Sequence, residues 1–345
     1  MKSAFVLTAL VLALAAWFEL SSLASCALVP DPRPANQVVV ACWNVDNLFD
    51  EVDDGGEYPE FDPAKGWTRA QFWRRCDSLA PVIRTLGDRG PDILVLEEVE
   101  NSHVAQVLAD RFLPDLGYRH RFLAPDNVPG VKTVVFSRFA PLRTGLFYPP
   151  SFDSSDPLRP LVEVEFDLGG RSLVVIGNHW KSRIPTPRAT EGLRRESARL
   201  LARRMGVLDD RPDHPFVVAA GDFNTSWELS RSWEDRALVS GGAAPEGETA
   251  LVVFPGRTTA QGTFRPGAVW DPWETVQDPA GSYFYQGTWD RLDHMFVSTA
   301  SLRCPDWRVR AFTVRAFAPK PTAYGPRSPD GVSDHFPLVL TLERR

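Results

Sequence analysis

Short runs of β-branched and small apolar residues recur along this chain, and each stops at a polar group. Val38-Val39-Val40-Ala41-Cys42-Trp43 runs into Asn44, and Ile93-Leu94-Val95-Leu96 into Glu97-Glu98. Leu173-Val174-Val175-Ile176 leads to Gly177-Asn178-His179, and Phe216-Val217-Val218-Ala219-Ala220 to Gly221-Asp222-Phe223-Asn224. Unbroken apolar runs of this length, too short for buried helices, predict buried strands. With a side-chain period of two, Asp222 and Asn224 point the same way.

Further strands are predicted at residues 118–123, 131–136 and 161–166, close enough in sequence to the run at 173–176 for an antiparallel middle section. Thr68 is a suitable N-cap for a helix over residues 69–86, with Phe72, Cys76 and Leu79 on one face and a kink expected at Pro81. A second helix is predicted over residues 103–112. A third, over 188–208, turns Leu193, Leu200 and Leu201 inward and carries an arginine-rich face that reads as solvated. After Thr225 no pattern holds for about sixty residues rich in Gly, Pro and Trp, which predicts functional loops. Order returns at residues 281–298, and a final strand covers 336–342.

Composition narrows the class. A chain of 345 residues with 43% hydrophobic content can build a substantial core. Thirty prolines and eleven tryptophans favour a strand-rich, aromatic interior over a helical bundle. The net charge of −6 argues against a protein that grips nucleic acid tightly by electrostatics alone, though not against an enzyme that touches it briefly.

Residues 1–26 read as an export signal, with Lys2 before an apolar run and then Leu23-Ala24-Ser25-Cys26. The last four resemble a bacterial lipobox, which makes Cys26 the expected lipidation site; ordinary cleavage nearby is the alternative. In either case the mature protein works outside the cytoplasm, anchored to a membrane through lipid or secreted. Residues 27–36 form a proline-rich tether and residues 37–345 the folded domain. Cys42, Cys76 and Cys304 allow at most one disulfide, and buried free thiols are expected.

Polar groups therefore sit at six strand ends: Asn44, Glu98, His179, Asp222 with Asn224, Asp293, and Asp334 with His335. Sheets bring the ends of neighbouring strands into one crevice. Hydrolysis of a phosphodiester needs an activated water, stabilised phosphorane charge and a neutralised leaving oxygen. Magnesium takes a few carboxylate or amide oxygens, which Asn44, Glu98 and Asp334 can supply.

The ordered set Trp43-Asn44, Leu96-Glu97-Glu98-Val99, Asn178-His179, Gly221-Asp222-Phe223-Asn224, Arg291-Leu292-Asp293 and Ser333-Asp334-His335-Phe336-Pro337 resembles the endonuclease/exonuclease/phosphatase superfamily, the group of deoxyribonuclease I. The resemblance spans about residues 38–342 and is nearest to an exported bacterial branch. It implies an α/β fold, a four-layer sandwich of two mixed β-sheets packed face to face with helices outside. It also implies a phosphodiesterase using Mg2+, with Mn2+ or Ca2+ as substitutes. Carried over residue by residue, Glu98 is the principal metal ligand, beside Asn44 and Asp334. Asp222 orients or deprotonates the attacking water, Asn224 holds a phosphate oxygen, and Asp293 fixes the tautomer of His335 and raises its pKa. His179 is the second phosphate-facing histidine.

Here the sequence departs from the deoxyribonuclease I branch. The matching histidine there has a carboxylate partner on a middle strand, whereas residues 131–136 contain Lys132 and Thr133 but no acid, and Asp126 is remote. His179 is thus expected to be a neutral hydrogen-bond donor or phosphate clamp, helped by Lys181 or Arg183. Asp290 competes with Asp293, and Glu97 with Glu98. Trp180, Trp227, Trp270 and Trp273 could stack on a base, line a lipid-facing rim or simply pack. The expected activity is nuclease action on nucleic acid by a monomer. The alternatives are hydrolysis of a phospholipid or inositol phosphate, and a catalytically silent surface-binding lipoprotein.

Overall fold

The computed structural model describes residues 36–150, 158–231, 236–241, 250–262, 265–325 and 330–345; the expected export signal, Cys26 and all of the expected tether but Asn36 lie outside them. Strands β1 (Gln37–Leu48), β2 (Ile93–Val99), β3 (His120–Phe122) and β4 (Lys132–Ser137) join β15 (Trp307–Val314) and β16 (Leu338–Arg344) in a six-stranded sheet, ordered β15-β16-β1-β2-β4-β3. A second sheet of eight strands contains β5 (Pro141–Phe147), β6 (Leu161–Asp167), β7 (Ser172–His179), β8 (Phe216–Asp222), β9 (Leu238–Ser240), β10 (Leu251–Phe254), β11 (Val269–Trp270) and β14 (Asp293–Ser298). Its order is β5-β6-β7-β8-β14-β11-β10-β9. A hairpin of β12 (Tyr283–Tyr285) and β13 (Thr288–Asp290) stands apart. Both large sheets are mixed: β1 runs parallel to β2 and β7 to β8, while β1–β16 and β8–β14 are antiparallel.

Strand parity sorts the apolar residues into layers. Val38, Val40 and Cys42 of β1 and Ile93 and Val95 of β2 face the second sheet. There they meet Leu173 and Val175 of β7, Val218 and Ala220 of β8, and Met295 of β14 in one fully buried core. A fully buried Val or Leu contributes roughly 1.5–3 kcal/mol, so this inter-sheet layer is what holds the strand ends in register. The opposite parity faces helices. Ala41, Trp43, Leu94 and Leu96 pack against α1 (Arg69–Arg84) and α2 (Ser102–Val107) through Phe72, Cys76, Leu79 and Val104. Val174, Ile176, Val217 and Ala219 pack against α3 (Glu191–Asp209) through Ala198, Leu201 and Met205. The result is a four-layer α/β sandwich, two mixed sheets face to face with helices outside.

Several expectations change in detail. Residues 226–281 are not simply loops, because β9, β10 and β11 lie there and extend the second sheet. Strands of two to four residues are too short to produce a readable period. The helix expected over 103–112 divides into α2 and a π-helical turn at Leu108–Phe112. Pro81 lies inside α1, whose start is fixed where Gln71 Oε1 accepts from the Thr68 backbone N–H at 2.9 Å. The arginine face of α3 is not uniformly solvated: Arg203 is exposed, Arg195, Arg199 and Arg204 are half-buried, and the largest departure is Arg194. It is fully buried, paired with Glu191 at 2.8 Å, and donates to the carbonyls of Lys181 and Ser182, pinning the loop after His179. Cys42, Cys76 and Cys304 are all free and buried. Trp180, Trp270 and Trp273 are core residues at 1–2% exposure, so packing is what they do.

Candidate active site

The inward-facing rows do not stop where their apolar residues stop. On β1 the row Val38, Val40, Cys42 continues to Asn44; on β8 the row Phe216, Val218, Ala220 continues to Asp222; on β7 Leu173, Val175 and Gly177 continue to His179. Pairing then places these groups abreast, since His179 is opposite Asp222 across β7–β8 and Asp293 is opposite Asp222 across β14–β8. Gly221 makes this close approach feasible. Its φ is +136°, and a Cβ there would lie 2.0 Å from the Asn178 carbonyl oxygen.

Parity alone does not place Glu98. The row Ile93, Val95 continues inward to Glu97, which is fully buried in the core beneath the crevice. A register shift between Leu96 and Val99 against β4, with Glu98 at φ +65°, turns the next carboxylate into the crevice as well. Asn44 Nδ2 donates to Glu98 Oε1 at 2.9 Å and to Asp222 Oδ2 at 3.1 Å. The Asn47 backbone N–H donates to Glu98 Oε2 at 2.9 Å from the left-handed turn that Asp46 and Asn47 form. Asn224 holds Asp222 twice, from its backbone N–H at 2.8 Å and from Nδ2 at 3.0 Å.

On the other flank, His335 Nδ1 lies 2.8 Å from Asp293 Oδ2, which also accepts from Ser282 Oγ at 2.5 Å. Asp334 Oδ1 is 3.8 Å from His335 Nε2. His179 Nε2 is 3.7 Å from Glu98 Oε1 and 3.9 Å from Asp222 Oδ2. Asp293, not Asp290, is thus the partner of His335; Asp290 pairs with Arg183 at 2.8 Å, and Arg291 with Glu228 at 3.3 Å. Asn44, Glu98, His179, Asp222, Asn224, Asp293, Asp334 and His335 come together. Lys181 and Arg183 follow β7 on the adjoining loop, and both are half-buried.

Burial and crowding perturb most of these groups. Burial lifts Asp222 to about 7, against the pull of His335. It lifts Asp334 to about 6, and raises Glu98 with help from the charge of Asp334. Glu97 is raised well above the carboxylate range by burial and by Asp293 and Asp222. The two histidines diverge. Burial opposes charge on His335, but Asp293 and Asp334 overrule it and hold the imidazole well above its ordinary value. His179 is driven well below by burial, then by the positive charges of Arg159 and His335.

Arg159 is what sequence reasoning missed. The carboxylate sought for His179 is not beside it: Asp126 is engaged by Ser102, accepting from its N–H at 2.8 Å and its Oγ at 2.5 Å. His179 Nδ1 is buried with no hydrogen-bond partner. Arg159 instead brings a cation near His179 and Glu98, and hydrogen-bonds Tyr58. No pattern marks Arg159, because it precedes β6 in an irregular stretch. Tyr283 also escaped notice, although its ring lies 4.8 Å from that of His335.

The Endonuclease/Exonuclease/phosphatase family model matches residues 41–335, nearly the whole described body. The chain belongs to that family. No curated protein matches it in sequence. Among solved structures, D. rerio TDP2 complexed with single strand DNA product is similar at 17% identity and TM-score 0.56, covering 90% of this chain and 100% of that one. An endonuclease/exonuclease/phosphatase family protein from Bacteroides thetaiotaomicron is similar at 18% identity and TM-score 0.54, covering 90% and 98%. The human Nocturnin catalytic domain with bound sulfate anion is similar at 16% identity and TM-score 0.50, covering 90% and 94%. At these identities the likeness establishes the fold.

Members of the endonuclease/exonuclease/phosphatase family are phosphoric ester hydrolases that use divalent metals, and the residues present fit one. Burial and the charge of Asp334 raise Glu98, and burial with Asp46 and Asp293 raises Asp334, in a crevice of oxygen donors, the situation a hard cation relieves. A second donor set, Asp222, Asp293 and His335, has ligand atoms within 4.8 Å of one another, and Asp293 Oδ1 is buried without a partner.

Proposed function

We propose that this chain is an exported Mg2+-dependent phosphodiesterase that hydrolyses nucleic acid by in-line attack of an activated water. The observation that carries the reading is the His335–Asp293 pair, 2.8 Å apart and facing the same crevice as Asp222, Asn44 and Glu98. In this reading Glu98, Asn44 and Asp334 hold the metal, which when bound neutralises phosphate charge. Asp222 accepts the proton of the attacking water, and a pKa of about 7 suits a base working near neutrality. Asn224 fixes Asp222, and its other Nδ2–H, donated to the Trp180 carbonyl at 3.2 Å, turns to a nonbridging phosphate oxygen when substrate binds. His335, protonated at both nitrogens, directs Nδ1–H to Asp293 and Nε2–H to the phosphorane, where positive charge is most useful. Neutral His179 donates a hydrogen bond to a second phosphate oxygen, with Arg159 supplying charge behind it. Lys181 and Arg183 flank the substrate. Export, lipidation at Cys26 and a monomeric state complete the proposal.

Binding alone does not call for one charged and one neutral histidine among crowded carboxylates, which weighs against a silent lipoprotein. Burial of Trp180, Trp270 and Trp273 removes most of the aromatic rim that a phospholipid would use. The deciding experiment offers the purified protein supercoiled DNA, single-stranded DNA, RNA, sphingomyelin and inositol phosphates, with and without Mg2+. Cleavage of a nucleic acid that stops in EDTA and in His335→Ala is expected. Hydrolysis of the lipid or inositol phosphate alone, or nuclease activity surviving both treatments, overturns the reading.

A further inference from the structure

The hairpin of β12 and β13 is fastened to the catalytic residues at its base and open to solvent at its tip. Tyr283 bridges the backbone of His335, and the Phe336 N–H donates to the Ser282 carbonyl at 2.7 Å. Ser282 Oγ donates to Asp293 at 2.5 Å. The turn at Gln286-Gly287 has φ of +48° and +84°, the left-handed pair that a tight two-residue hairpin requires.

Cross-strand pairing separates the two faces of this hairpin. Phe284 is opposite Trp289, and these rings, 5.0 Å apart, turn towards Phe336, which lies 5.8 Å from Trp289. That face is accounted for by packing. The other face carries Tyr283 and Tyr285, opposite Asp290 and Thr288. The Tyr283 ring lies 4.8 Å from the His335 imidazole, and the Tyr285 ring follows it at 6.2 Å and only 22° from parallel. Tyr285 is 58% exposed, so nothing in the fold uses its outer face. Arg183 borders the row, its guanidinium 5.8 Å from the Tyr283 ring centroid and 2.8 Å from Asp290. Two aligned rings thus lead away from the phosphate-facing histidine, with a cation alongside.

We propose that Tyr283 and Tyr285 form a stacking subsite for an unpaired nucleobase of the nucleotide that flanks the scissile phosphate. This rests on the nucleic-acid reading of the crevice and goes beyond it, because it states which part of the strand is held outside the phosphate site. The row is continuous with the catalytic residues, which commits it to the substrate already in the crevice. A ring face recognises a base face, and a base offers its face only when unstacked, so the subsite selects single-stranded or splayed ends over intact duplex. Stacking is tolerant of sequence, so no preference among bases follows. It also suits a chain of net charge −6, which cannot rely on a broad cationic groove.

The test compares two single-stranded substrates on the full protein with Mg2+: a deoxyoligonucleotide, and the same backbone with tetrahydrofuran residues in place of nucleosides. The parent protein is expected to prefer the base-bearing strand by about tenfold in kcat/KM, mainly through KM. Tyr285→Ala should abolish that preference, while Tyr285→Phe, which keeps the ring, should retain it. Because Tyr285 is exposed, an unchanged melting curve is the expected folding control. If the parent cleaves the strand but Tyr285→Ala keeps its preference, or Tyr285→Phe loses it as fully as Ala, the subsite is wrong and the nuclease reading stands. If the parent cleaves neither strand nor any other nucleic acid, the nuclease reading fails and the subsite with it.

Discussion

His335 and His179 look onto the same carboxylates from two sides, one from the segment entering β16 and the other from the end of β7. Both are buried, at 5% and 3% exposure, so burial weakens the charged form of each. The difference lies in their neighbours. His335 has Asp293 at 2.8 Å and Asp334 at 3.8 Å, and stays cationic. His179 has carboxylates no nearer than 3.7 Å and feels the positive charges of Arg159 and His335, so it stays neutral. Residue type therefore says little about charge here. An acid hydrogen-bonded to one ring nitrogen makes the cation, and its absence makes a polar but uncharged donor.

The comparison breaks most readily through activity. His335→Ala should lower kcat about ten-thousand-fold, because it removes both the positive charge and the proton at the phosphate. His179→Gln, which keeps a neutral donor of similar reach, should cost about a hundred-fold or less and leave the shape of the pH–rate profile intact. Steady-state rates on one nucleic-acid substrate between pH 5 and 9 distinguish the two. Equal losses, or an ionisation that vanishes in His179→Gln, would mean that His179 also works as a charged acid.

Arg159 sharpens the contrast. Arg159→Glu exchanges the cation beside His179 for an anion, rebuilding the kind of pairing that His335 enjoys. Histidine ring protons followed by NMR should show His179 titrating at higher pH than in the parent, with His335 moving less. Activity at pH 7 should fall about tenfold through the loss of a charge-assisted phosphate contact. A His179 resonance that titrates as in the parent would remove Arg159 from the account.

These two flanks also differ in how far they could be read from the chain. The strand rows ending in Asn44, His179 and Asp222 were legible, because a period of two carries an inward-facing position past the last apolar residue to the polar one that follows. The layers were legible for the same reason. Glu98 was not reachable by that rule, which selects Glu97; only the family pattern indicated it, since a register shift reverses the parity locally. Arg159 and Tyr283 left no signal. One lies in an irregular segment and the other on a three-residue strand, and neither span is long enough for spacing to reveal a facing direction. Long-range pairing puts them at the site. The short strands β9 to β11 were hidden by the same lack of length.

Glu97 offers the smallest and most exacting test, because it lies beneath both flanks and could undo the contrast between them. It is fully buried and neither carboxylate oxygen has a hydrogen-bond partner. Asp293 and Asp222 join burial in raising it, which favours the protonated, uncharged carboxyl under His335. Gln is then nearly its isostere, and Glu97→Gln should leave kcat/KM within about twofold and the His335 titration unmoved. The effect on stability has a definite sign. A carboxyl whose folded pKa is raised contributes most at low pH, and that contribution is lost as pH rises from the unfolded value through the folded one. Parent and variant should therefore melt together near pH 4, while at pH 8 the variant should melt about 2–4 °C higher. If instead Glu97→Gln lowers the pKa of His335 and destabilises the protein at pH 8, then Glu97 is an anion in the folded state. The charge on His335 would then come from below as well as from Asp293, and the two histidines would differ in distance to a shared anionic floor rather than in partner.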